Sequence, residues 1–444
     1  MASLDEIKIS LQNAGIVGAG GAGFPSYAKL APGEEILLIN AAECEPMLYT
    51  DFQLMHEKMA QAVEGARLIM EEAGMTQCLF GIKAHNCKAL GLSDGQELGK
   101  GCFVKQLPDV YPMGDEINLI YQCTGRLVQP GQLPVSQHVI VFNMETLCNA
   151  REAILHQKPL TEKYLTINGD IPNPVVVHVP IGMRVSELLD RLHITIPEED
   201  VLMDGGPSMG RIIHPNTAVI TKTTKGLIVI PKETPAVRVK MRGQKIHRAI
   251  ASSVCCQCTR CTDMCPRHAL GYPLEPHMHV RVASGVNEVM PESVLSASLC
   301  CSCGICEIAA CCQYISPRAV ILDHKSILAQ NKLHFSDPSK EYHVREDRSY
   351  TMMSTERWKD FLGITRYDKT PVFHPELMQP DRVEIPMHQH IGSPSVPCVR
   401  EGDTVAKGTR IAECGPGLSI PQAASIDGRV TYVDQTKIII EKIN

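Results

Sequence analysis

Two groups of closely spaced cysteines constrain this chain more than any other feature. The first group ends in Cys-Pro and has the C-x2-C-x2-C-x3-C-P spacing of bacterial ferredoxins, in which a tight loop directs three thiolates at one cubane cluster; its members are Cys255, Cys258, Cys261 and Cys265. The second group begins about 35 residues later and repeats the first three positions at Cys300, Cys303 and Cys306. The spacing predicts two [4Fe–4S] clusters held by one segment of the chain.

The fourth cysteine of the second group is displaced. Ala310 occupies the expected position, and Cys311 and Cys312 follow it. We choose Cys311 as the eighth ligand, because this choice requires only a one-residue insertion and puts Cys312 in place of the usual proline. The fourth cysteine of each run ligates the other cluster in two-cluster ferredoxins. The predicted ligand sets are therefore crossed: Cys255, Cys258, Cys261 and Cys311 on one cluster, and Cys300, Cys303, Cys306 and Cys265 on the other.

A pair of structural zinc sites is the alternative interpretation, since C-x2-C pairs also suit tetrahedral zinc. Three cysteines at consecutive x2 spacing, occurring twice, exceed what zinc needs. The chain has 19 cysteines, and a reducing cytosol keeps such residues as thiols rather than disulfides. The cysteines outside the ligand sets are expected to be bystanders, including the two that lie beside ligands, Cys256 and Cys301.

Composition limits the possible partners and the location of the protein. The 444 residues suggest two to four domains. The net charge is −6 without a basic stripe, which argues against a nucleic-acid partner. The N-terminus lacks the apolar core of a signal peptide, and no run approaches the roughly 18 apolar residues of a spanning helix. We therefore expect a cytoplasmic protein without a membrane span.

Hydrophobic patterning divides the chain into five regions, which together predict a multidomain α/β and α+β protein. Residues 1–150 alternate buried strands with helices and predict an α/β domain. Residues 151–237 predict a β-grasp-like module with a small mixed sheet and one helix. Residues 238–332 hold the cysteines, residues 333–380 are expected to be a linker or an irregular wrap, and residues 381–444 predict a small all-β barrel.

A glycine-rich loop near the N-terminus is the first candidate binding site. The loop from Gly18 to Gly23 matches G-x-G-x-x-G, and Glu43 lies about 20 residues further on, as in a Rossmann dinucleotide site. The context argues against a true fingerprint, because residues 3–14 read as a helix rather than a strand. The glycines still let the backbone approach a flat ring or a phosphate. A structural turn remains the alternative.

An acidic loop is the second candidate. Asn40, Glu43 and Glu45 follow a predicted buried strand, so their polar side chains are expected at the carboxyl edge of the sheet, where α/β proteins bind ligands. This position predicts a nucleotide-facing loop. A solvated turn is an equal alternative on the residues alone.

Four motifs in order carry a family resemblance: the loop from Gly18 to Pro25, the loop from Asn40 to Asp51, Tyr111 to Glu116, and Asn143 to Thr146. They resemble the NADH/FMN-binding subunit of respiratory complex I and the RnfC electron-transfer subunits. The whole chain most closely resembles the cobalamin reductases of propanediol-utilisation microcompartments. In RnfC the barrel precedes the flavin domain, whereas in this chain it comes last.

The resemblance implies a set of cofactor-binding residues. FMN is expected against Gly18, Gly20, Gly21 and Gly23, with Lys29 and Asn40 near its polar groups and Asn143 close to its phosphate end. Three carboxylates are expected to face the nicotinamide nucleotide, namely Glu43, Glu45 and Glu116. Complex I subunits usually carry Arg where this chain has Ala19, so one contact to the flavin is missing.

The resemblance also implies a function. Electrons from NADH are expected to pass through a Rossmann-like FMN domain and two clusters to cobalamin, which supports adenosylcobalamin regeneration inside a bacterial microcompartment. The implied partners are a corrinoid adenosyltransferase and shell or lumen proteins. One alternative is an RnfC-like NADH:ferredoxin or flavodoxin oxidoreductase subunit. Another is a non-enzymatic, cysteine-rich scaffold or zinc-binding protein.

Overall fold

A five-stranded sheet forms the centre of the N-terminal region. The computed structural model describes residues 3–242, 244–285 and 291–443. The strand order is β3-β4-β2-β1-β6, in which β4, β2, β1 and β6 run parallel and β3 is antiparallel. The elements of this region are α1 Leu4–Asn13, β1 Ile36–Ala41, α2 Thr50–Ala73, β2 Gln77–Lys83, α3 Ala84–Leu90, β3 Glu97–Gly99, β4 Cys102–Leu107, β5 Val110–Tyr111, α4 Glu116–Thr124, β6 Val139–Asn143 and α5 Met144–His156.

The central strands of this sheet are apolar and buried on both faces, as parallel strands between helices must be. β1 reads Ile-Leu-Leu-Ile-Asn-Ala, and only its Asn40 is partly exposed. Helix α1 begins with a capping box between Ser3 and Glu6, and α2 ends at Gly74 in the left-handed conformation. The predicted α/β alternation is confirmed in this region, with strand and helix bounds within a few residues of those expected.

A second sheet, with six strands, follows. Its order is β10-β9-β11-β7-β8-β13, and it mixes parallel and antiparallel pairs. Its elements are β7 Glu162–Gly169, β8 Val175–Pro180, α6 Val185–Arg191, β9 Asp200–Asp204, β10 Arg211–Ile213 and β11 Gly226–Pro231, and a strand from much later in the chain completes it. The mixed sheet with one helix agrees with the expectation from sequence.

Short helices form the cysteine region. They are α7 Pro235–Met241, α8 Gln244–Val254, α9 Arg260–Asp263, α10 Pro266–Ala269, α11 Pro276–Ala283, α12 Pro291–Leu295 and α13 Pro317–Gln330. The cysteines of each group lie in the loops and first turns between these helices. A single π-helical turn, Cys306–Ala310, follows the third cysteine of the second group.

The stretch expected to be a linker or irregular wrap differs from that expectation. It contains α14 Arg348–Thr351, β12 Met353–Ser354, α15 Thr355–Leu362 and β13 Val372–Leu377. β12 pairs with β5 of the first region, and β13 adds to the second sheet in parallel beside β8. Backbone pairing with distant strands therefore orders a segment whose own periodicity is weak.

Two small antiparallel sheets form the C-terminal region, with orders β14-β20-β19-β16 and β15-β17-β18. The strands are β14 Arg382–Pro386, β15 Val396–Pro397, β16 Thr404–Val405, β17 Arg410–Glu413, β18 Gln422–Ala423, β19 Gly428–Val433 and β20 Lys437–Glu441. Their apolar side chains enclose a separate core. The expected all-β region is confirmed. Across the described ranges of the chain, no helix combines the length and apolarity that a membrane crossing requires.

Candidate functional site

The glycine-rich loop lies between α1 and β1 rather than after a strand. An antiparallel bridge between Val17 and Pro25 closes its ends, and the amide of Ala19 donates a 3.0 Å hydrogen bond to Thr146 Oγ1 on α5. The loop therefore rests on the N-terminal end of α5. This arrangement agrees with the sequence argument that the loop is not a Rossmann fingerprint.

Gly20 and Gly21 form part of the wall of a cavity of about 550 Å³ at the carboxyl edge of the first sheet. A Cβ atom on Gly20 would lie 2.8 Å from the side-chain nitrogen of Asn143, whereas a Cβ on Gly21 would meet no atom within 4 Å. The backbone is thus bare where it faces the cavity. Six of the predicted cofactor-binding residues line this cavity together: Gly20, Gly21, Asn40, Glu43, Glu45 and Asn143.

Four predicted residues do not line it. Gly18 closes the loop by donating its amide to the carbonyl of Phe24, and Gly23 packs against Thr223 and the backbone of Gln389. The ammonium of Lys29 bonds to the carbonyl of Val141 at 2.9 Å and pairs with Glu116 at 3.3 Å. The resemblance put Lys29 and Glu116 at the two cofactors, whereas in the structure they pair with each other outside the cavity wall.

Glu43 occupies an unusual position on the acidic loop, with a positive φ of 34°. Its carboxylate accepts the amides of Asp51 and Phe52 at 2.9 and 3.0 Å, and so caps the first turn of α2. Burial, reinforced by the neighbouring carboxylate of Asp51, raises the pKa of Glu43 to about 7 although the ammonium of Lys225 opposes the shift. Lys225 itself pairs with Asp51 at 2.6 Å. The cavity floor thus carries a carboxyl group that titrates near neutral pH.

A stability measurement can test this titration. Because the folded protein holds the proton of Glu43 up to about pH 7 while the unfolded chain releases it near 4.5, stability should fall as the pH rises between these values. Glu43→Gln should reduce the fall in unfolding free energy by about 1–3 kcal/mol. Chemical denaturation across this pH range measures the effect. Glu71→Gln, an exposed position on the same helix, should keep the wild-type slope, and equal slopes in all three proteins would contradict the assignment.

The second region supplies the rest of the cavity wall, which the sequence analysis did not anticipate. The hairpin between β9 and β10 contributes Asp204 to Arg211 to the lining, with Met209 among them. Glu45 accepts the amides of Ser208 and Met209 at 3.0 and 2.9 Å. A Cβ on Gly206 would clash with the Glu45 carboxylate. The glycines at 205, 206 and 210 were the sequence signal that marked this hairpin as a place of close backbone approach.

The first cysteine group surrounds a pocket near the surface. Its lining includes Cys255, Cys258, Cys261 and Cys311, together with Cys256 and Cys312. Burial and the nearby thiols of Cys311, Cys258 and Cys255 raise the pKa of Cys261 to about 12. The fourth cysteine of the second group therefore lies with the first three of the first group, as the crossed arrangement requires.

The second cysteine group is more deeply buried. Cys265 lies beside Cys300 and Cys301, and Cys306 lies beside Cys300 and Cys265. Burial raises the pKa of both Cys265 and Cys306, so these thiols need a bound cation to ionise. The π-helical turn Cys306–Ala310 absorbs the one-residue insertion and leaves Cys311 partly buried and Cys312 exposed. This geometry favours Cys311 as the eighth ligand.

A buried junction joins the second cysteine group to the cavity wall. The hydroxyl of Tyr111 donates a 2.7 Å hydrogen bond to the carbonyl of Cys303, and the Tyr111 ring stacks on Trp358 at 4.8 Å. The Trp358 indole donates to Ser208 Oγ at 2.9 Å, so the stack reaches the cavity hairpin. Gly114, three residues after Tyr111, lines the cavity itself.

A buried ion pair supports the same junction. Arg267, two residues after Cys265, pairs with Asp115 at 2.6 Å, and both side chains are nearly inaccessible to solvent. Asp115 also caps α4 through the amide of Asn118. Removing either partner would leave an uncompensated buried charge. The cysteine region is therefore fixed against the first sheet rather than tethered to it by a linker.

Comparisons with known families agree with these sites. Residues 11–152 match the Nuo51 FMN-binding domain, residues 254–316 match a 4Fe-4S dicluster domain, and residues 369–442 match the RnfC barrel sandwich hybrid domain. The fold and the two sites together define a flavin- and iron–sulfur-dependent oxidoreductase. The zinc and scaffold alternatives are not supported by these matches.

Relatives along the full length identify the family. The chain is 37% identical to the cobalamin reductase PduS of Salmonella typhimurium over 99% of its own length and 97% of that protein. It is 35% identical to PduS of Citrobacter freundii over 98% of this chain and 96% of that protein. The chain belongs to the cobalamin reductase PduS family. A component of the Na(+)-translocating ferredoxin:NAD(+) oxidoreductase complex of Acetobacterium woodii is 32% identical over 60% of this chain and 58% of its own length.

Proposed function

We propose that this protein reduces cobalamin with electrons from NADH, which pass through FMN and two [4Fe–4S] clusters. The observation that carries this proposal is the Tyr111 junction. One short segment of chain, Tyr111 to Gly114, contacts the Cys303 loop at one end and the cavity wall at the other. The family membership supplies the acceptor, since both full-length relatives are cobalamin reductases.

The residues of the cavity fit a flavin mononucleotide. Gly20 and Gly21 present bare backbone to the cavity, and Asn143 lies against Gly20, where its amide is available to a polar edge or a phosphate. Asn40 is held in place by a 2.8 Å bond from its Nδ2 to the carbonyl of Gly114. FMN, when bound, accepts a hydride from NADH and releases electrons singly. The role of this chain is to orient the ring and exclude water.

The donor nucleotide is proposed to enter between the acidic loop and the hairpin of β9 and β10. Glu45 ties these two segments together through the amides of Ser208 and Met209. Arg211 lines the same cavity with a largely exposed side chain and pairs with Asp204 at 3.0 Å. We expect Glu45 to fix the shape of the entrance and Arg211 to meet an anionic group of the donor.

The thiol sets fit two cubane clusters, and their burial suggests an order. The set of Cys300, Cys303, Cys306 and Cys265 is proposed as the inner cluster, because it adjoins the cavity through Tyr111. The set of Cys255, Cys258, Cys261 and Cys311 is proposed as the outer cluster, because it lines a pocket near the surface and Cys258 is exposed. Electrons would leave through the outer set.

Several finer assignments belong to this proposal. The first region is taken as a Rossmann-like domain and the second as a β-grasp module, with the domain bounds given above. A corrinoid adenosyltransferase is the proposed partner that captures the reduced cobalamin, and a bacterial microcompartment that degrades propanediol is the proposed location, with its shell or lumen proteins as neighbours. The chemistry supports a channelled partner, because fully reduced cobalamin is difficult to reach and to keep.

Anaerobic NADH oxidation with two alternative acceptors tests the proposal. The reconstituted protein should change the visible spectrum of cobalamin as NADH is consumed, and ferredoxin should be a poorer acceptor. Iron and acid-labile sulfide analysis of the same sample checks cofactor loading. Faster transfer to ferredoxin than to cobalamin would favour the RnfC-like alternative, and fully loaded protein that reduces neither acceptor would contradict both.

A further inference from the structure

Two cysteines at the outer thiol set lie outside the proposed ligand sets. Cys256 and Cys312 are both exposed. Their sulfur atoms and that of Cys258 all lie within 4.8 Å of one another. Sequence spacing alone gave these two residues the status of bystanders, because it could not show that the loop after residue 255 and the loop after residue 310 meet.

Binding of the outer cluster selects a pair from this trio. Cys258 is a proposed cluster ligand, so iron engages its sulfur and leaves Cys256 and Cys312 as the adjacent free thiols. Cys312 stands where the ferredoxin run has proline, and Cys256 directly follows the first ligand of its group. Both residues lie outside helices and strands, so their backbone can make the small shift that brings two sulfurs to about 2.05 Å.

We propose that Cys256 and Cys312 form a redox-active dithiol that closes to a disulfide over the outer cluster. This inference rests on the proposed ligand sets. The disulfide would join the loop that carries Cys255 and Cys258 to the loop that carries Cys311, and these two loops supply three of the four proposed ligands. Closing it would cross-link the cluster's binding loops without consuming a ligand.

The oxidant we propose is a small-molecule disulfide such as oxidised glutathione. One thiolate of the pair attacks the small disulfide, forms a mixed disulfide and releases one small thiol. The second protein thiolate then attacks the mixed disulfide and releases the other small thiol. Two protein thiols are thereby oxidised to one disulfide, the small disulfide is reduced to two thiols, and the two thiol protons pass to the released thiolates. The cluster takes no part in this exchange.

The test treats cluster-loaded protein anaerobically with oxidised glutathione and maps its disulfides by mass spectrometry. We expect one new link, between Cys256 and Cys312, with iron and sulfide contents unchanged. A link that involves Cys258 together with loss of iron would overturn the proposal, because the reaction would then be cluster breakdown. Stable glutathione adducts on both thiols without a link would also overturn it.

Single variants separate this proposal from the ligand assignment. Cys312→Ser and Cys256→Ser should keep both clusters and lose the link, whereas Cys398→Ser, an exposed cysteine in the C-terminal region, should behave as wild type. Loss of iron from Cys312→Ser with retention in Cys311→Ser would show that Cys312 is the eighth ligand, which defeats the dithiol. In the wild type, closing the link should slow iron removal by a chelator by roughly an order of magnitude. An unchanged rate would defeat its protective role.

Discussion

Cys303→Ala should stop NADH from reducing the cluster that remains, whereas Cys258→Ala should not. Each variant should lose about half of the iron, because each removes a ligand of only one of the two clusters. Cys303 lies in the loop that Tyr111 joins to the cavity wall, and Cys258 lies in the exposed outer set. Losing the inner cluster leaves a gap between flavin and outer cluster, and we expect NADH-driven reduction of the outer cluster to fall by about 100-fold or more.

Anaerobic EPR after mixing with NADH measures this difference. Dithionite, a small reductant that reaches the exposed cluster directly, should reduce the remaining cluster in both variants and so serves as the internal control. Cys398→Ala controls for the loss of a cysteine elsewhere in the chain. If NADH reduces the remaining cluster of Cys303→Ala at the wild-type rate, the inner and outer positions are reversed. If both variants block it, the clusters do not act in series as proposed.

Both variants should still reduce cobalamin poorly, but for different reasons. In Cys303→Ala the electrons do not reach the outer set, and in Cys258→Ala they reach the inner set but lack an exit. The flavin should be reduced by NADH in both, because Gly20, Asn40 and Asn143 are untouched. Flavin bleaching without cobalamin reduction is therefore the expected signature of an interrupted relay, as distinct from a misfolded protein.

The parts of the site that sequence predicts are those in which chemistry lies close together along the chain. The x2 spacing of the cysteines and the position of Asn40 and Glu43 after a buried strand are local patterns, and both describe what the structure brings together. The choice of Cys311 also rested on spacing, because an insertion of one residue has a simple structural solution in the π-helical turn after Cys306.

The parts that sequence missed depend on contacts between distant residues. Tyr111 and Cys303 are separated by 192 positions, and Glu45 and Ser208 by 163. Periodicity in a short window carries no information about such pairs. The strand Val372–Leu377 was missed for the same reason, since its order comes from pairing with β8 and its own side chains are mostly exposed.

Gly23→Ala should release the flavin, although Gly23 does not line the cavity. Gly23 has a φ of +69°, which costs a residue with a side chain about 1–2 kcal/mol. An added Cβ would lie 2.7 Å from the Thr223 methyl group and 3.3 Å from the carbonyl of Gln389. The carbonyl of Gly23 also accepts the amide of Ile391 at 3.0 Å. The second region and the C-terminal region thus both hold the end of the glycine loop.

The added methyl group must therefore displace the loop or the segments that hold it, and either movement shifts Gly20 and Gly21 at the cavity. We expect FMN affinity to fall by about 10- to 100-fold, which corresponds to about 1.4–2.8 kcal/mol. Flavin retained after dialysis, and FMN titration of the apoprotein followed by fluorescence, measure this loss. Gly33→Ala is the matched control, because Gly33 has a φ of +87° and its added Cβ would meet no atom within 4 Å. Equal flavin loss in both variants would mean that backbone strain alone, and not the contact with Thr223 and Gln389, controls the loop.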